Sequence, residues 1–261
     1  MTTDRKPAAA VLAAGLGTRL RPLTDHRPKA LCPVDNVPLL DRWLDRLERL
    51  GLAGPGDVAV NAHHLAGQVV AHAGGRAWLS VERDLLGTSG AVGNLAGWRD
   101  GRDMLVVNAD AYLGGPDPAD FLAGWDGVRP RLLVVRDPDR EDFPGGWRFA
   151  GMSLLAAADA DRLPPEPGSL YEDVWRHADL DLVPYHGEFH DCGTPADYLA
   201  ANLHASGGRS VVGPGADVRG ELVRSVVWPG GVVTEGERLV EAIRVGTSVT
   251  VRARDGCAGS S

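Results

Sequence analysis

Residues 8–14 form an unbroken run of small and apolar side chains that stops at Gly15, and this junction constrains the fold more than any other stretch. Such a run suits a strand buried on both faces, which calls for a parallel sheet covered on both sides. Gly15 and Gly17 permit backbone angles closed to other residues and let main-chain N–H groups approach a ligand closely. The turn continues through Thr18 and Arg19, and Lys29 follows ten positions later between prolines and apolar residues. Converging N–H groups, a hydroxyl, a forked guanidinium and a compact ammonium together suit a nucleoside triphosphate. The same residues also fit a tight strand-to-helix turn with two solvated cations, and the loop alone does not separate the two readings.

The chain beyond the loop alternates. Leu39, Leu40, Trp43, Leu44, Leu47 and Leu50 recur at helical spacing with charged residues between them, and Gly51 ends the run, which predicts an amphipathic helix with a glycine stop. Short β-rich runs at 58–60, 79–81, 104–107 and 132–135 are separated by helix-like or turn-rich stretches. Strands alternating with helices predict an α/β fold, a Rossmann-like and mostly parallel mixed sheet with helices on both faces. Ligands of such sheets sit at the carboxyl ends of the strands, where the glycine loop lies.

Two aspartates stand at similar ends. Residues 106–110 read V-V-N-A-D, so an apolar strand presents Asn108 and Asp110 at its carboxyl end. Residues 189–195, F-H-D-C-G-T-P, place Asp191 at a strand-to-turn transition ahead of a short helix at 196–204. Each is either a magnesium ligand or the cap of the turn that follows it. Magnesium takes one or two carboxylates and completes its shell with phosphates and water, so the pair serves only if the fold joins residues about eighty positions apart.

A net charge of −8 argues against a nucleic-acid partner and makes phosphate binding depend on local cations and a metal ion. No apolar run approaches the roughly 20 residues that span a membrane. The apolar start meets the glycine loop without a cleavage-like spacer, so a cytoplasmic protein is expected. Cys32, Cys192 and Cys257 are scattered and odd in number, which favours small reduced hydrophobes over a disulfide framework or a zinc site.

After Ser206 the organisation changes. Val227, Val233, Leu239, Val245 and Val251 recur every six residues, Val212 and Val218 form an earlier pair, and glycines and prolines cluster between them. A six-residue period predicts a short left-handed parallel β-helix over 206–253, with ordinary hairpins as the alternative. So few coils need support from the catalytic domain, 1–205, or from a second copy of the chain in a homo-oligomer. Residues 254–261 are expected to be a flexible tail.

Taken together, A-A-G-L-G-T-R-L with P-K-A-L, L-G-T-S-G at 86–90, N-A-D at 108–110, F-A-G at 149–151 and D-C-G-T-P at 191–195 resemble the sugar-1-phosphate nucleotidyltransferases, in order and in spacing across 8–205. The stretch N-A-H-H-L at 61–65 and the phrase F-A-G-M-S are most similar to N-acetylmuramate-1-phosphate uridylyltransferases, with mannose-1-phosphate guanylyltransferases also close. The resemblance implies that Leu12, Ala13, Ala14 and Gly15 line the nucleotide with Asn108, and that Gly17, Thr18 and Arg19 surround the triphosphate. It implies that Lys29 contacts phosphates at the reacting centre, that Glu82, Gly87 and Thr88 read the base, and that Asp110 and Asp191 hold Mg2+. Gly151 matches a sugar-pocket glycine, and Glu172 either contacts sugar hydroxyls or begins a helix at Val174.

The implied reaction joins a nucleoside triphosphate, GTP or UTP first, to a sugar 1-phosphate with release of pyrophosphate, and Arg19, Lys29 and Asp110 carry it. Two departures bear on the substrates. The family's acidic-lysine pair ahead of the sugar-pocket glycine is missing from 137–147, which leaves Arg140 or Arg148 to supply that contact. Glu82 stands where many relatives have Gln, which favours a base that presents N–H groups. Transfer to a non-sugar phosphate, such as a cyclitol phosphate or phosphocholine, and a non-catalytic regulatory homologue that binds a nucleotide sugar are the alternatives.

Overall fold

The computed structural model of the protein describes residues 5–253, so the expected tail and Cys257 lie outside the described residues. The chain divides into two compact units. The first comprises the chain up to Leu16, Arg42–Ala109 and Gly115–Gly187; the second comprises Gly17–Asp41, Asp110–Gly114 and the chain from Glu188 onward.

The first unit is built on a seven-stranded sheet in the order Asp181–Pro184, Arg131–Arg136, Trp147–Leu155, Met104–Asn108, Ala8–Leu12, Val58–Ala62, Trp78–Val81. Every neighbouring pair is parallel except the two made by Trp147–Leu155, which is antiparallel to both of its neighbours. This is the mixed, parallel-rich α/β sheet that the alternation predicts. The central strand is buried along most of its length because its residues are small enough for helices to pack on both faces, and it ends at Leu12 rather than Ala14. Ala8, Ala10, Ala59, Val92, Leu95, Met104, Val106, Leu132 and Val134 belong to one core cluster.

The predicted amphipathic helix runs Leu39–Arg49, with Leu39, Leu40, Trp43, Leu44 and Leu47 buried, and Gly51 follows it in the left-handed region at φ 82°. Asp117 receives Arg46 at 2.7 Å and Arg49, both from the last turns of this helix. Gly151 also has a left-handed backbone, φ 83°, and lies beside the irregularity in register between Arg131–Arg136 and Trp147–Leu155.

In the second unit a two-stranded antiparallel ribbon pairs Ala111–Gly114 with Glu188–Asp191. The helix Pro195–Ala205 follows, its first turn capped by Thr194, whose hydroxyl accepts from the Asp197 N–H at 3.2 Å. Beyond it, Val211–Val212 pairs in parallel with Val226–Val227, which pairs in turn with Ala242–Val245. Two further parallel ladders join Asp217–Val218 to Val232–Val233 and Glu221–Val223 to Arg238–Val240. Val249–Arg252 then returns antiparallel to Ala242–Val245.

Val227, Val233 and Leu239 of the six-residue series meet Ala242 in a small core of their own. Val212 does not follow the series: it is 44% exposed, and its neighbour Val211 is the buried residue. Val211, Val226, Trp228, Ile243 and Val251 pack with Leu20, Leu23, Cys32, Tyr198 and Leu199, so these strands share a core with the Gly17–Asp41 segment and the helix Pro195–Ala205. Among the described residues no helix is long and apolar enough to cross a membrane.

Candidate functional site

Two polar constellations stand at the ends of strands, one in each unit. In the first unit the central strand and its neighbour Met104–Asn108 pair in register through Leu12 and Asn108, and the Ala109 N–H donates to the Leu12 carbonyl at 3.0 Å. On the other side, the Ala13 N–H donates to Asn61 Oδ1 at 2.6 Å. Leu12 and Ala13 are thus held from both flanks before the glycine turn begins. Among the described residues the N–H groups of Ala14, Gly15 and Leu16 meet no hydrogen-bond acceptor, which leaves consecutive main-chain donors available to an anion. A Cβ at Gly15 would meet nothing within 4 Å, so the protein's own packing does not demand glycine there.

The segment L-G-T-S-G opens the helix Gly87–Asn94. Gly87 adopts φ 68° and faces Gly168 in a parallel bridge, where a Cβ would lie 2.2 Å from the Gly168 carbonyl oxygen. Gly90 and Gly93 are as tight against the carbonyls of Glu166 and Leu163, at 2.0 and 2.4 Å. Three glycines at helical spacing therefore let the 163–168 backbone lie directly on this helix. Thr88 completes the join: its N–H donates to the Gly168 carbonyl at 3.0 Å and its hydroxyl accepts from the Leu170 N–H at 2.8 Å.

Glu82 differs from the expected base-reading carboxylate. It is 5% exposed, and both of its oxygens accept from the protein, Oε1 from Asn61 Nδ2 at 2.7 Å and Oε2 from the Leu86 N–H at 3.1 Å. Sequence reasoning gave Asn61 no role. Its signal was an amide at the carboxyl end of the apolar run V-A-V, where a buried parallel strand has no other use for one.

Glu172 is likewise elsewhere than expected. The helix is Leu170–Asp173, started by Ser169 rather than at Val174, and the Glu172 carboxylate accepts from Arg176 at 2.7 Å on an exposed surface. Arg148 pairs with Asp137 at 3.1 Å, and Arg140 ends the short helix Pro138–Arg140.

The second unit gathers charge. Asp110 directly precedes one strand of the ribbon and Asp191 ends the other, opposite Ala111, so antiparallel pairing joins residues far apart in sequence. The Cys192 N–H donates to the Asp110 carbonyl at 3.0 Å and fastens this end. Lys29 begins the turn Lys29–Leu31 after Pro28 and pairs with Asp110 Oδ2, with Asp191 Oδ1 4.0 Å away. Arg19 lies 3.8 Å from Asp191 Oδ2 and remains 69% exposed, whereas Lys29 is 13% exposed. Gly193 allows this approach, because a Cβ there would stand 2.8 Å from Arg19 Nη2. Gly17 bends the chain at φ 64°, and a Cβ there would meet the Thr24 methyl at 2.7 Å. The Thr24 hydroxyl donates to the Gly17 carbonyl at 2.8 Å. Thr18 and Arg19 open the short helix that follows.

Asp110 and Asp191 suit a hard divalent cation by their chemistry, and both carboxylates lie within 4.0 Å of the Lys29 ammonium. Cys32 and Cys192 are buried and free, and burial pushes the Cys32 thiol up to about 12 and that of Cys192 well above its ordinary value. Neither thiol is poised as a nucleophile.

The chain belongs to the MobA-like NTP transferase domain family, whose model matches residues 9–171. It is 52% identical over 64 residues to N-acetylmuramate alpha-1-phosphate uridylyltransferase of Caulobacter vibrioides, covering 24% of this chain and 25% of that protein. It is 33% identical over 120 residues to mannose-1-phosphate guanylyltransferase of Mycobacterium tuberculosis, covering 44% of this chain and 32% of that one. The chain thus matches only a quarter to a third of the length of these curated relatives. In fold it is similar to the crystal structure described as mannose-1-phosphate geranyltransferase from Thermus thermophilus, with a TM-score of 0.73 at 23% identity over 97% of this chain and 96% of that one.

Proposed function

We propose that the protein is a sugar-1-phosphate nucleotidyltransferase, which joins a nucleoside triphosphate to a sugar 1-phosphate and releases pyrophosphate. The observation that carries this reading is the convergence of Lys29, Asp110, Asp191 and Arg19. All groups in the reaction are anionic, so the tasks are positioning and charge neutralisation, and no side-chain nucleophile is needed. Leu12, Ala13, Ala14, Gly15 and Asn108, with Gly87 and Thr88, receive the nucleoside, and Gly17, Thr18, Arg19 and Lys29 receive the triphosphate. The acceptor's phosphate oxygen attacks the α-phosphorus in line, while Arg19 and Lys29 offset the charge that builds on departing pyrophosphate. Asp110 and Asp191 would hold Mg2+, which when bound neutralises phosphate charge and orients oxygens. Gly151 belongs to the acceptor side, and so does Glu172, whose exposed ion pair with Arg176 costs little to exchange for sugar hydroxyls.

The relatives named as uridylyl- and guanylyltransferases support UTP or GTP as donor and a sugar 1-phosphate as acceptor. We assign 1–205 as the catalytic domain. The three parallel ladders support reading 206–253 as a short parallel β-helix, left-handed, that braces the catalytic domain and offers a face for self-association. Nucleoside triphosphates and sugar phosphates are held in the cytoplasm, where we place the protein. The test is pyrophosphate release from GTP, UTP, dTTP, ATP and CTP crossed with a panel of sugar 1-phosphates, phosphocholine and a cyclitol phosphate, with and without magnesium. Magnesium-dependent release with one sugar 1-phosphate supports the assignment, and silence with all of them overturns it.

A further inference from the structure

Three strand ends of the sheet unit are tied by one chain of hydrogen bonds. The Ala13 N–H donates to Asn61 Oδ1 at 2.6 Å, Asn61 Nδ2 donates to Glu82 Oε1 at 2.7 Å, and the Leu86 N–H donates to Glu82 Oε2 at 3.1 Å. The direction of the chain is forced from both ends. A backbone N–H only donates, so Asn61 must turn its oxygen to Ala13 and its NH2 to residue 82. Leu86 also offers a donor to residue 82. Residue 82 must therefore accept with both of its terminal atoms, which a carboxylate does and an amide does not. Asn61 is 3% and Glu82 5% exposed, so bulk water does not stand in for a missing partner. The Glu82 main chain is also fixed, its N–H donating to the Ala62 carbonyl at 2.8 Å and its carbonyl 3.1 Å from His63 Nδ1.

We propose that Glu82 is a positioning residue that sets the glycine loop through Asn61 and the Gly87–Thr88 turn through Leu86, and that it does not read the nucleotide base. This rests on the assignment of that loop and turn to the nucleotide. Ala13 opens the loop and Leu86 immediately precedes Gly87, so a break in the chain shifts both elements at once. Discrimination among bases then falls to other groups, and the presence of Glu rather than Gln carries no information about which base is bound.

The test compares wild type with Glu82→Gln, Asn61→Asp and the double variant. In Asn61→Asp two acceptors face each other across the central bond; in Glu82→Gln the new NH2 faces a donor, Asn61 Nδ2 or the Leu86 N–H. In the double variant the polarity of that bond is reversed. The amide introduced at position 82 donates to the carboxylate introduced at position 61 and still accepts from the Leu86 N–H, while that carboxylate still accepts from the Ala13 N–H. The readouts are KM and kcat for every triphosphate the wild type uses, and amide hydrogen exchange at Ala13 and Leu86. Each single variant should raise KM by about tenfold, by a common factor for all bases and with a smaller change in kcat, and should speed exchange at both amides. The double variant should recover most of both losses. A change in the ranking of bases in Glu82→Gln would overturn the proposal in favour of base reading. Unchanged exchange in the single variants, or a double variant as impaired as the two losses combined, would overturn it as well. If the wild type uses no triphosphate, the functional assignment fails and the exchange measurements alone decide on the hydrogen-bond chain.

Discussion

In the sheet unit Asn61 and Glu82 are sealed from solvent, and the amide and both carboxylate oxygens between them are bonded to the protein; in the second unit Lys29 is hydrogen-bonded to Asp110, but Arg19 and Lys29 stand 3.8 and 4.0 Å from Asp191, beyond ordinary hydrogen-bond lengths, and Arg19 is largely exposed. The difference separates holding a shape from handling charge. A closed, buried network stabilises one arrangement because losing any partner strands a polar group. A partly exposed cluster with more cationic reach than its carboxylates use at hydrogen-bond distance keeps capacity for incoming charge.

The sharpest way to break this comparison is to remove members of the open cluster. Lys29→Ala and Asp110→Asn should each lower turnover by about 10²-fold while leaving the unfolding midpoint near wild type, since each removes charge stabilisation used in the transition state. Turnover with saturating substrate and a thermal melt on the same preparation check both halves; near-normal turnover in either variant contradicts the assignment.

The preformed side of the comparison predicts a cost in stability instead. Gly87→Ala forces a side chain onto a left-handed backbone and against the Gly168 carbonyl, and should cost about 3 kcal/mol in denaturant unfolding. A loss within about 0.5 kcal/mol would show that the 163–168 segment is not fixed on this helix. The C-terminal strands allow a paired test: Val227→Ala, in their core, should cost about 2 kcal/mol, and Val212→Ala, at the surface, should be close to neutral.

The smallest effect lies in acid. The Arg49 guanidinium, with Arg46 beside it, holds the Asp117 carboxyl down at about 2, below its ordinary value near 3.8. A carboxylate depressed on folding contributes stability that is present above the unfolded-state value and is lost as pH falls through the folded one. Asp117→Asn should therefore be less stable than wild type at pH 7, and the gap should close between about pH 4 and pH 2 in urea titrations.

Much of the sheet unit is legible in local sequence, because burial on both faces writes itself as apolar runs at 8–14 and 104–107, and Leu39–Arg49 shows both its period and its stop. Asp110 and Asp191 were recognisable as carboxylates at strand ends. Their meeting was not, because it depends on the ribbon Ala111–Gly114 with Glu188–Asp191, a pairing between segments that carry no shared pattern. The hydrogen bonds of Glu82 were illegible for a related reason. Its partners, Asn61 and the Leu86 N–H, come from another strand and from the main chain, and position in a motif does not reveal what a side chain already accepts. In the tail, the six-residue period found the core residues Val227, Val233 and Leu239 but slipped at Val212, since the strand Val211–Val212 buries Val211 in the cluster that holds Trp228.

The central claim, that the cluster around Lys29 serves nucleotidyl transfer, is tested most directly by following the phosphorus atoms. With the accepted triphosphate labelled separately at the α- and γ-positions, the α label should appear in a sugar nucleotide and the γ label in pyrophosphate, and both signals should fall together in Lys29→Ala. Release of the γ label as inorganic phosphate, or transfer of that label to the acceptor, would contradict the account.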